Sequence, residues 1–404
     1  MTSNGEHLLG RIRDGLAAEE NRDETLNLTA SQNVLSPAAR AALASTLGQR
    51  SHIGGRHVDQ IERAMLDAVH TLYGTRNVEY RLMSGSIANL MAIVGAIPRG
   101  ATVLVMPRSG SGDKSVQAHG YLSWIGARVV DLPWDYARHN VDLDGFRRAL
   151  REHRPAWIII GGSRPLFPYP VSAMRAEADA VGARILYDGS HILGLWAGGQ
   201  FQDPLAEGAD IVTGSTQKTI PGPLGGLLFC RDPELLRPIA QICDGVLGDY
   251  GNARVAAIGV TLAELVAFGR EYAEAIVANA RALGRALAAE GFTIAAADLG
   301  FTSSHQVLVL PDGWRAPDAP AALERGGLQC SLVPLHRTAD APAVTGLRLG
   351  TSGVTRRGME PAEMKVAARL MARTLLHLED GDVIRKEVRE LRAAFPGVRY
   401  AFPV

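Results

Sequence analysis

Between residues 60 and 245, short apolar runs alternate with amphipathic stretches. Thr102-Val-Leu-Val-Met106, Trp157-Ile-Ile-Ile160, Arg184-Ile-Leu-Tyr187, Ile211-Val212 and Leu227-Leu-Phe229 have the length and continuity of strands buried on both faces. Strands separated by helical stretches specify an α/β fold with a mostly parallel sheet. Tyr272, Ile276, Ala280, Leu283 and Leu287 recur at spacings of three or four, which predicts a long amphipathic helix over 261–290, ending near Gly291 and joining two domains. Beyond it, His305-Gln-Val-Leu-Val-Leu310, Gly346-Leu-Arg-Leu349 and a helical 361–378 stretch describe a smaller α+β unit. The first 25 residues are charged and weakly helical, and Ser36-Pro37 has the form of an N-cap followed by a first-turn proline. The expected division is an N-terminal arm and docking segment (1–59), a large domain (60–275) and a small C-terminal domain (276–404).

Composition narrows the class without naming a function. With 42 basic and 42 acidic residues the net charge is formally zero, so no global field recruits nucleic acid or an anionic membrane, and any anion is bound locally. No uninterrupted apolar run approaches the ~20 residues of a membrane helix, and the polar start Met-Thr-Ser-Asn-Gly-Glu is unlike a signal peptide, so a cytoplasmic protein is expected. Cys230, Cys243 and Cys330 are odd in number and lack metal-ligand spacing, which points to reduced structural thiols and no metal.

Lysine usage changes the picture more. Only four lysines (114, 218, 365 and 386) stand beside 38 arginines, and one of them, Lys218, lies in Thr213-Gly-Ser-Thr-Gln-Lys-Thr-Ile-Pro-Gly-Pro-Leu-Gly-Gly226. Arginine stays protonated, whereas a lysine in a partly dry pocket can lose its proton and attack a carbonyl, so Lys218 is a Schiff-base candidate; the alternative is a surface loop lysine. Asp188 ends the strand before it. A carboxylate and an amine at the C-terminal ends of successive strands are what pyridoxal phosphate requires, the first to keep the ring nitrogen protonated and the second to anchor the aldehyde carbon. The alternative for Asp188 is capping of the next turn. Met83-Ser-Gly-Ser-Ile-Ala-Asn89 opens an apolar helical stretch and can cradle a phosphate through Gly85 and Ser86, or simply cap the helix. Pro221-Gly-Pro-Leu-Gly-Gly226 is either a second close backbone approach or a rigid loop. Arg348 offers a planar fork for a carboxylate, while Arg356 and Arg357 suit ion pairs better.

Taken together these residues resemble the serine hydroxymethyltransferase family, over roughly residues 24–396. Ala30-Ser-Gln-Asn33 is similar to the family's Ala-Ser-Glu-Asn, and Gly54-Gly55 with Val58-Asp59 and Glu62 to its Gly-Gly segment. Ser84-Gly-Ser-Ile-Ala-Asn89 matches its phosphate loop. Asp188 with His191, Lys218 with Gly222-Pro223, and Arg348-Leu-Gly-Thr-Ser-Gly-Val-Thr-Arg-Arg-Gly358 complete the resemblance. It implies the aspartate aminotransferase fold with a mostly parallel seven-stranded sheet, pyridoxal 5'-phosphate as cofactor, and a homodimer with shared active sites. By the same resemblance Arg348 and Ser31 hold the substrate carboxylate, Ser163 and His191 lie beside the cofactor's 3'-oxygen, and Ser215 sits near the phosphate, with Gln217 next to the anchoring Lys218.

The departures bear on the substrate. The tyrosine pair before the family's Gly-Gly and its upstream glutamate correspond to His52-Ile53 and to Ser45 or a neighbour. Gln32 replaces the Glu of Ala-Ser-Glu-Asn, and Gln217 replaces the His before the lysine; each change removes a proton-transfer or folate-contacting group. The ring-stacking histidine of the family's His-rich loop has no clear counterpart in Arg108-Ser-Gly-Ser-Gly-Asp-Lys-Ser-Val-Gln-Ala-His119. His119 is the first choice for that place, with Asp113 and Lys114 as alternatives. His52 and His57 are candidates to replace lost acid/base groups or are surface histidines. Phe301-Thr-Ser-Ser-His-Gln306, Gly358-Met359 and Gly161-Gly-Ser-Arg-Pro-Leu-Phe167 also resemble the threonine transaldolase-like subgroup. The function expected is therefore folate-independent aldolase or transaldolase chemistry on threonine, serine or glycine with an aldehyde. The alternatives are a serine or α-methylserine hydroxymethyltransferase using tetrahydrofolate, an aminotransferase or cyclase, and a non-catalytic relative.

Overall fold

The computed structural model describes residues 4–21, 24–50 and 55–403. Seven strands form the central sheet: β1 (Val78–Glu79), β2 (Thr102–Val105), β3 (Arg128–Asp131), β4 (Trp157–Gly161), β5 (Arg184–Asp188), β6 (Ile211–Ser215) and β7 (Gly226–Cys230). Their order is β1-β7-β6-β5-β4-β2-β3. β3, β2, β4, β5 and β6 are mutually parallel, and β7 is antiparallel to both β6 and β1. The apolar runs are unbroken because both faces are covered. Leu104, Ile158, Ile160, Ile185, Tyr187, Val212 and Phe229 enter one core. Their neighbours Val103, Val105, Trp157, Ile159, Leu186, Ile211 and Leu228 enter another. Each such side chain contributes about 1.5–3 kcal/mol on leaving water, before chain entropy is charged.

The helices include α1 (Asn4–Asn21), α2 (Pro37–Leu43), α3 (Arg56–Tyr73), α4 (Gly85–Ala96), α5 (Asn252–Ala289), α6 (Pro361–Leu375) and α7 (Gly381–Ala393), of which α4 lines the site. Ser36 caps α2, its hydroxyl accepting from the Ala39 N–H at 3.1 Å, with Pro37 in the first turn. The long helix starts at Asn252, nine residues before the periodicity becomes readable. Its first turns, Ala253 and Val255 to Ile258, are buried, so no polar face marks them in the sequence. By length and composition α5 is also apolar enough to cross a membrane, contrary to the expectation of no membrane-length stretch. However, 67% of its apolar window is buried inside the protein. It packs on α2, α3 and α6 and belongs to the cores of both halves.

The small unit carries a three-stranded antiparallel sheet of β8 (Gln306–Val309), β9 (Ser331–Leu335) and β10 (Val344–Gly350), in the order β8-β10-β9. The β9 strand and α7 lie in stretches that the sequence pattern left unassigned. The positions 59/60 and 275/276 fall inside α3 and α5, so continuous helices cross both. The cysteines Cys230, Cys243 and Cys330 are all unpaired thiols.

Candidate active site

The parallel strands deliver their chemistry at one edge. Asp188 ends β5, Ser163 follows β4, Ser215 ends β6 and Thr216 to Lys218 follow it, Asp113 lies in the loop after β2, and Ser84 to Asn89 open α4. These segments line a cavity of about 200 Å³ whose walls include Gly85, Ser86, Asn89, Asp113, Ser163, Asp188, Ser190, Ser215, Gln217 and Lys218. An open parallel sheet binds its ligand outside the C-terminal ends of its strands, and this cavity is in that place.

Asp188 is buried and held from two sides. Asn89 Nδ2 donates to one carboxylate oxygen at 2.9 Å and the Ser190 backbone N–H to the other at 3.0 Å. Asn89 is oriented in turn by the Thr213 hydroxyl, which donates to its Oδ1 at 2.5 Å. Burial pushes the Asp188 carboxyl up and the Asp113 charge adds to this; Lys218 and the two hydrogen bonds pull it back without cancelling the rise. A buried carboxylate short of positive charge suits a protonated ring nitrogen.

Lys218 is half-buried, and burial pushes its amine below the ordinary lysine range. Asp188 and Asp113 act against that shift and Arg348 with it. Its backbone is fixed by Asn33, whose Nδ2 donates to the Lys218 carbonyl at 2.5 Å and to the Tyr272 hydroxyl at 2.9 Å. Tyr272 donates onward to the Ser352 carbonyl at 2.9 Å. The following Pro221–Gly226 loop folds back on the lysine segment: the Gly222 N–H reaches the Thr216 carbonyl at 2.8 Å, and the Thr216 hydroxyl donates to the Pro223 carbonyl at 2.6 Å.

The turn at the start of α4 is capped by Ser84, whose hydroxyl accepts from the Ile87 N–H at 3.2 Å. A Cβ on Gly85 would lie 2.2 Å from the Ser215 hydroxyl and 2.9 Å from the Ser190 hydroxyl, so only glycine lets the helix start approach both. Gln217 has a buried Oε1 without a hydrogen-bond partner. Arg348, on β10, donates from Nη1 to the Ser163 carbonyl at 2.9 Å, while its buried Nε has no partner. These residues fit pyridoxal phosphate: a carboxylate for its nitrogen, an amine for its aldehyde carbon, and a glycine-serine cradle for its phosphate. Arg348, like Ser31, is absent from the cavity wall, and its guanidinium is anchored at the Ser163 carbonyl.

His191 is buried and stacked on His305, with ring centroids 5.3 Å apart and His191 Nδ1 3.1 Å from His305 Nε2. Burial is the first cause holding both imidazoles down, His191 well below the usual histidine value and His305 at about 3. Ser31 sits in the turn before Asn33 and is absent from the cavity wall. The structure does not bring His119 to the cavity. It is exposed in the turn preceding the helix Tyr121–Trp124, because the loop tightens into a 3-10 turn at Lys114–Val116 and carries the chain away. Asp113 lines the cavity instead, and Lys114 points into solvent. His57 is exposed at the start of α3, Ser45 donates to the Ala42 carbonyl at 2.7 Å, and His52, Ile53 and Gly54 lie outside the described residues. Arg356 forms a buried pair with Glu264, and Arg357 reaches the Pro396 carbonyl.

Sequence reasoning missed the roles of Asn89, Ser190 and His305. Asn89 carried a usable signal, as the lone polar side chain within Ile87-Ala-Asn-Leu-Met-Ala-Ile-Val94. A polar residue on an apolar helix needs a buried partner.

Comparison with known proteins places these features in context. The family model described as serine hydroxymethyltransferase matches residues 10–371. A serine hydroxymethyltransferase of Pyrobaculum calidifontis is 38% identical over 395 residues, covering 94% of this chain and 91% of its own. One from Thermococcus kodakarensis is 37% identical over 417 residues, covering 98% and 95%. Among solved structures, the L-threonine transaldolase from Pseudomonas fluorescens, in its internal aldimine state, superposes with a TM-score of 0.88 at 27% identity, covering 99% of this chain and 96% of its own.

Proposed function

Because the chain belongs to the serine hydroxymethyltransferase family of pyridoxal-phosphate enzymes, we propose that it is a folate-independent aldolase or transaldolase of β-hydroxy amino acids. It breaks and forms their Cα–Cβ bond, taking threonine, serine or glycine together with an aldehyde. When bound, the cofactor supplies an electron sink for the pair left on Cα. The chain supplies everything else. Arg348 would hold the substrate carboxylate, with Ser31, and so orient the bonds at Cα. Asp188, held by Asn89 and Ser190, keeps the ring nitrogen charged. Lys218 presents an amine whose lowered proton affinity favours attack on a carbonyl carbon.

The observation that carries folate independence is Gln32. Its Oε1 accepts from Asn27 Nδ2 at 2.7 Å, so the position where the family has a glutamate holds an amide tied into local packing. An amide cannot relay a proton to or from a folate carbon, and Gln217 beside the lysine has the same deficiency. Cleavage that releases a whole aldehyde needs no such relay. The overall match to the Pseudomonas transaldolase supports the same reading. A second reading, a hydroxymethyltransferase using tetrahydrofolate, is favoured by the higher identity to proteins bearing that name. The test is aldehyde release from threonine across a panel of acceptor aldehydes, with and without tetrahydrofolate. Release that ignores folate is expected; strict dependence on it would establish the second reading, and amino transfer to a keto acid would overturn both. The active unit is a homodimer with shared sites, which sedimentation of the loaded protein checks.

A further inference from the structure

Among the described residues lining the cavity, the titratable side chains are Asp113, Asp188 and Lys218. Asp188 and Lys218 are committed to the cofactor, which leaves one carboxylate without a task. Asp113 is built into place. Its Oδ2 accepts from the Ser163 hydroxyl at 2.8 Å and its Oδ1 from the Ser115 N–H at 2.9 Å. The loop bearing it is fastened to the end of β4: the Ser163 N–H reaches the Ser111 carbonyl at 2.7 Å, and the Arg164 N–H the Ser111 hydroxyl at 3.0 Å. Arg164 Nη2 also donates to the Gly110 carbonyl at 2.9 Å and to that of Arg108. Gly162, at φ +126°, passes so close that a Cβ there would lie 2.5 Å from the Ser111 carbonyl oxygen and 2.9 Å from the Asp113 nitrogen. This approach fixes Asp113 in the cavity wall.

We propose that Asp113 is a catalytic residue, the base that takes the β-hydroxyl proton of the substrate in Cα–Cβ cleavage and returns it to the oxygen of an incoming aldehyde. The inference rests on the reading of the protein as an aldolase or transaldolase. In the forward direction the substrate O–H bond breaks, its proton passes to the Asp113 carboxylate, and the oxygen pair forms the aldehyde C=O. The Cα–Cβ pair remains on Cα, delocalised into the cofactor. In the return direction that pair attacks a second aldehyde carbon, whose oxygen recovers the proton from Asp113, so no net proton is consumed. With Gln217 an amide and Asp188 committed to the cofactor, Asp113 is the carboxylate left to accept a proton on the cavity wall. Lys218, Asp188, Arg164 and Arg348 are the charged groups that act on it. Burial pushes the carboxyl up, but the hydrogen bonds from Ser115 and Ser163 and the Lys218 charge outweigh it, and the net direction is down. The base form is therefore the resting form at neutral pH.

Asp113→Asn tests this, because asparagine keeps the side chain's volume and can still accept from the Ser115 N–H. Solvent exchange of the glycine α-proton uses the same cofactor and carboxylate clamp but has no β-hydroxyl to deprotonate, and it serves as the internal reference. In cofactor-loaded protein the ratio of threonine cleavage to glycine exchange should fall by roughly 100-fold or more. The acid limb of the pH profile of kcat/KM for cleavage should disappear, and Asp113→Glu should restore part of the ratio. Independently of turnover, the pH midpoint of the bound cofactor's absorbance change should move down in Asp113→Asn, because a negative charge near Lys218 is lost. A loaded Asp113→Asn protein with the wild-type ratio, or one that loses exchange and cleavage in equal proportion, would overturn the role of Asp113 alone. A loaded wild-type enzyme that neither exchanges nor cleaves would overturn the aldolase reading and this inference together.

Discussion

Asn89 and Asp188 form a buried clamp 99 residues apart in sequence: the amide of Asn89 donates to the carboxylate at 2.9 Å while its own oxygen accepts from Thr213. The clamp fixes the direction in which Asp188 offers its charge. Asn89→Ala strands one carboxylate oxygen and the Thr213 hydroxyl, a cost of about 1–3 kcal/mol, or roughly 5- to 150-fold in cofactor affinity if the site bears it all. Asn89→Asp should be worse, since it sets a second buried carboxylate against the first. Equilibrium dialysis of pyridoxal phosphate against the apo forms measures both, and unchanged affinity in Asn89→Ala would remove the clamp from cofactor binding.

Gly85 is required by the crowding of three segments at the cradle. Gly85→Ala drives a methyl into the Ser215 hydroxyl, and overpacking of this kind costs about 1–3 kcal/mol. Cofactor binding should weaken accordingly, and the double change Gly85→Ala with Ser215→Gly should recover part of the loss. No recovery would mean that the helix start is displaced as a whole.

The buried strands, the capped start of α2 and the lysine loop were readable from residue pattern because each is a local device: an apolar run, a cap, a rare amine. What stayed hidden is long-range. The start of α5 is buried on every side, Arg254 included, and shows no period, and β9, exposed on alternate residues at the small domain's edge, gives only a weak signal. In the site, Asp188, Lys218, Ser163 and Gly85 were legible from motif and strand end. A search for an aromatic ring points to His119, but Asp113 reaches the cavity because Ser111 and Gly162 fasten the loop, which spacing does not encode.

Arg356 and Glu264 are an example of a motif arginine kept for stability. The pair is buried on both sides, 1% and 0% exposed, with 2.5 Å between Nη2 and Oε2. Arg356 also donates to the Tyr400 carbonyl and lies 5.6 Å from the Tyr272 ring centre. Removing one partner leaves an uncompensated buried charge, so Glu264→Leu should cost about 3–5 kcal/mol in urea unfolding. The joint change Glu264→Leu with Arg356→Met should recover much of that. The folded single variant should keep the wild-type kcat; a fall in kcat at full cofactor loading would instead tie the pair to the site.

The stacked histidines give the protein an acid-side stability signature. His305 is fully buried and its folded value, about 3, lies below the ordinary 6.5 through burial first and the nearby Arg348 and Lys218 charges second. A depressed value means that the folded state holds the neutral ring while the unfolded chain takes up a proton. The contribution is therefore complete above pH 6.5 and is lost as pH falls toward about 3, at ~1.4 kcal/mol per pH unit in the intervening window. His191, also held well below its usual value, steepens the same slope. Urea midpoints of the apo protein should fall between pH 7 and pH 4. In His305→Gln, which has no ring to protonate, the fall should be shallower by about one proton's worth, while the midpoint at pH 8 drops for the lost ring stacking. Parallel pH curves for the two proteins would show that His305 takes up its proton in the folded state as readily as in the unfolded chain.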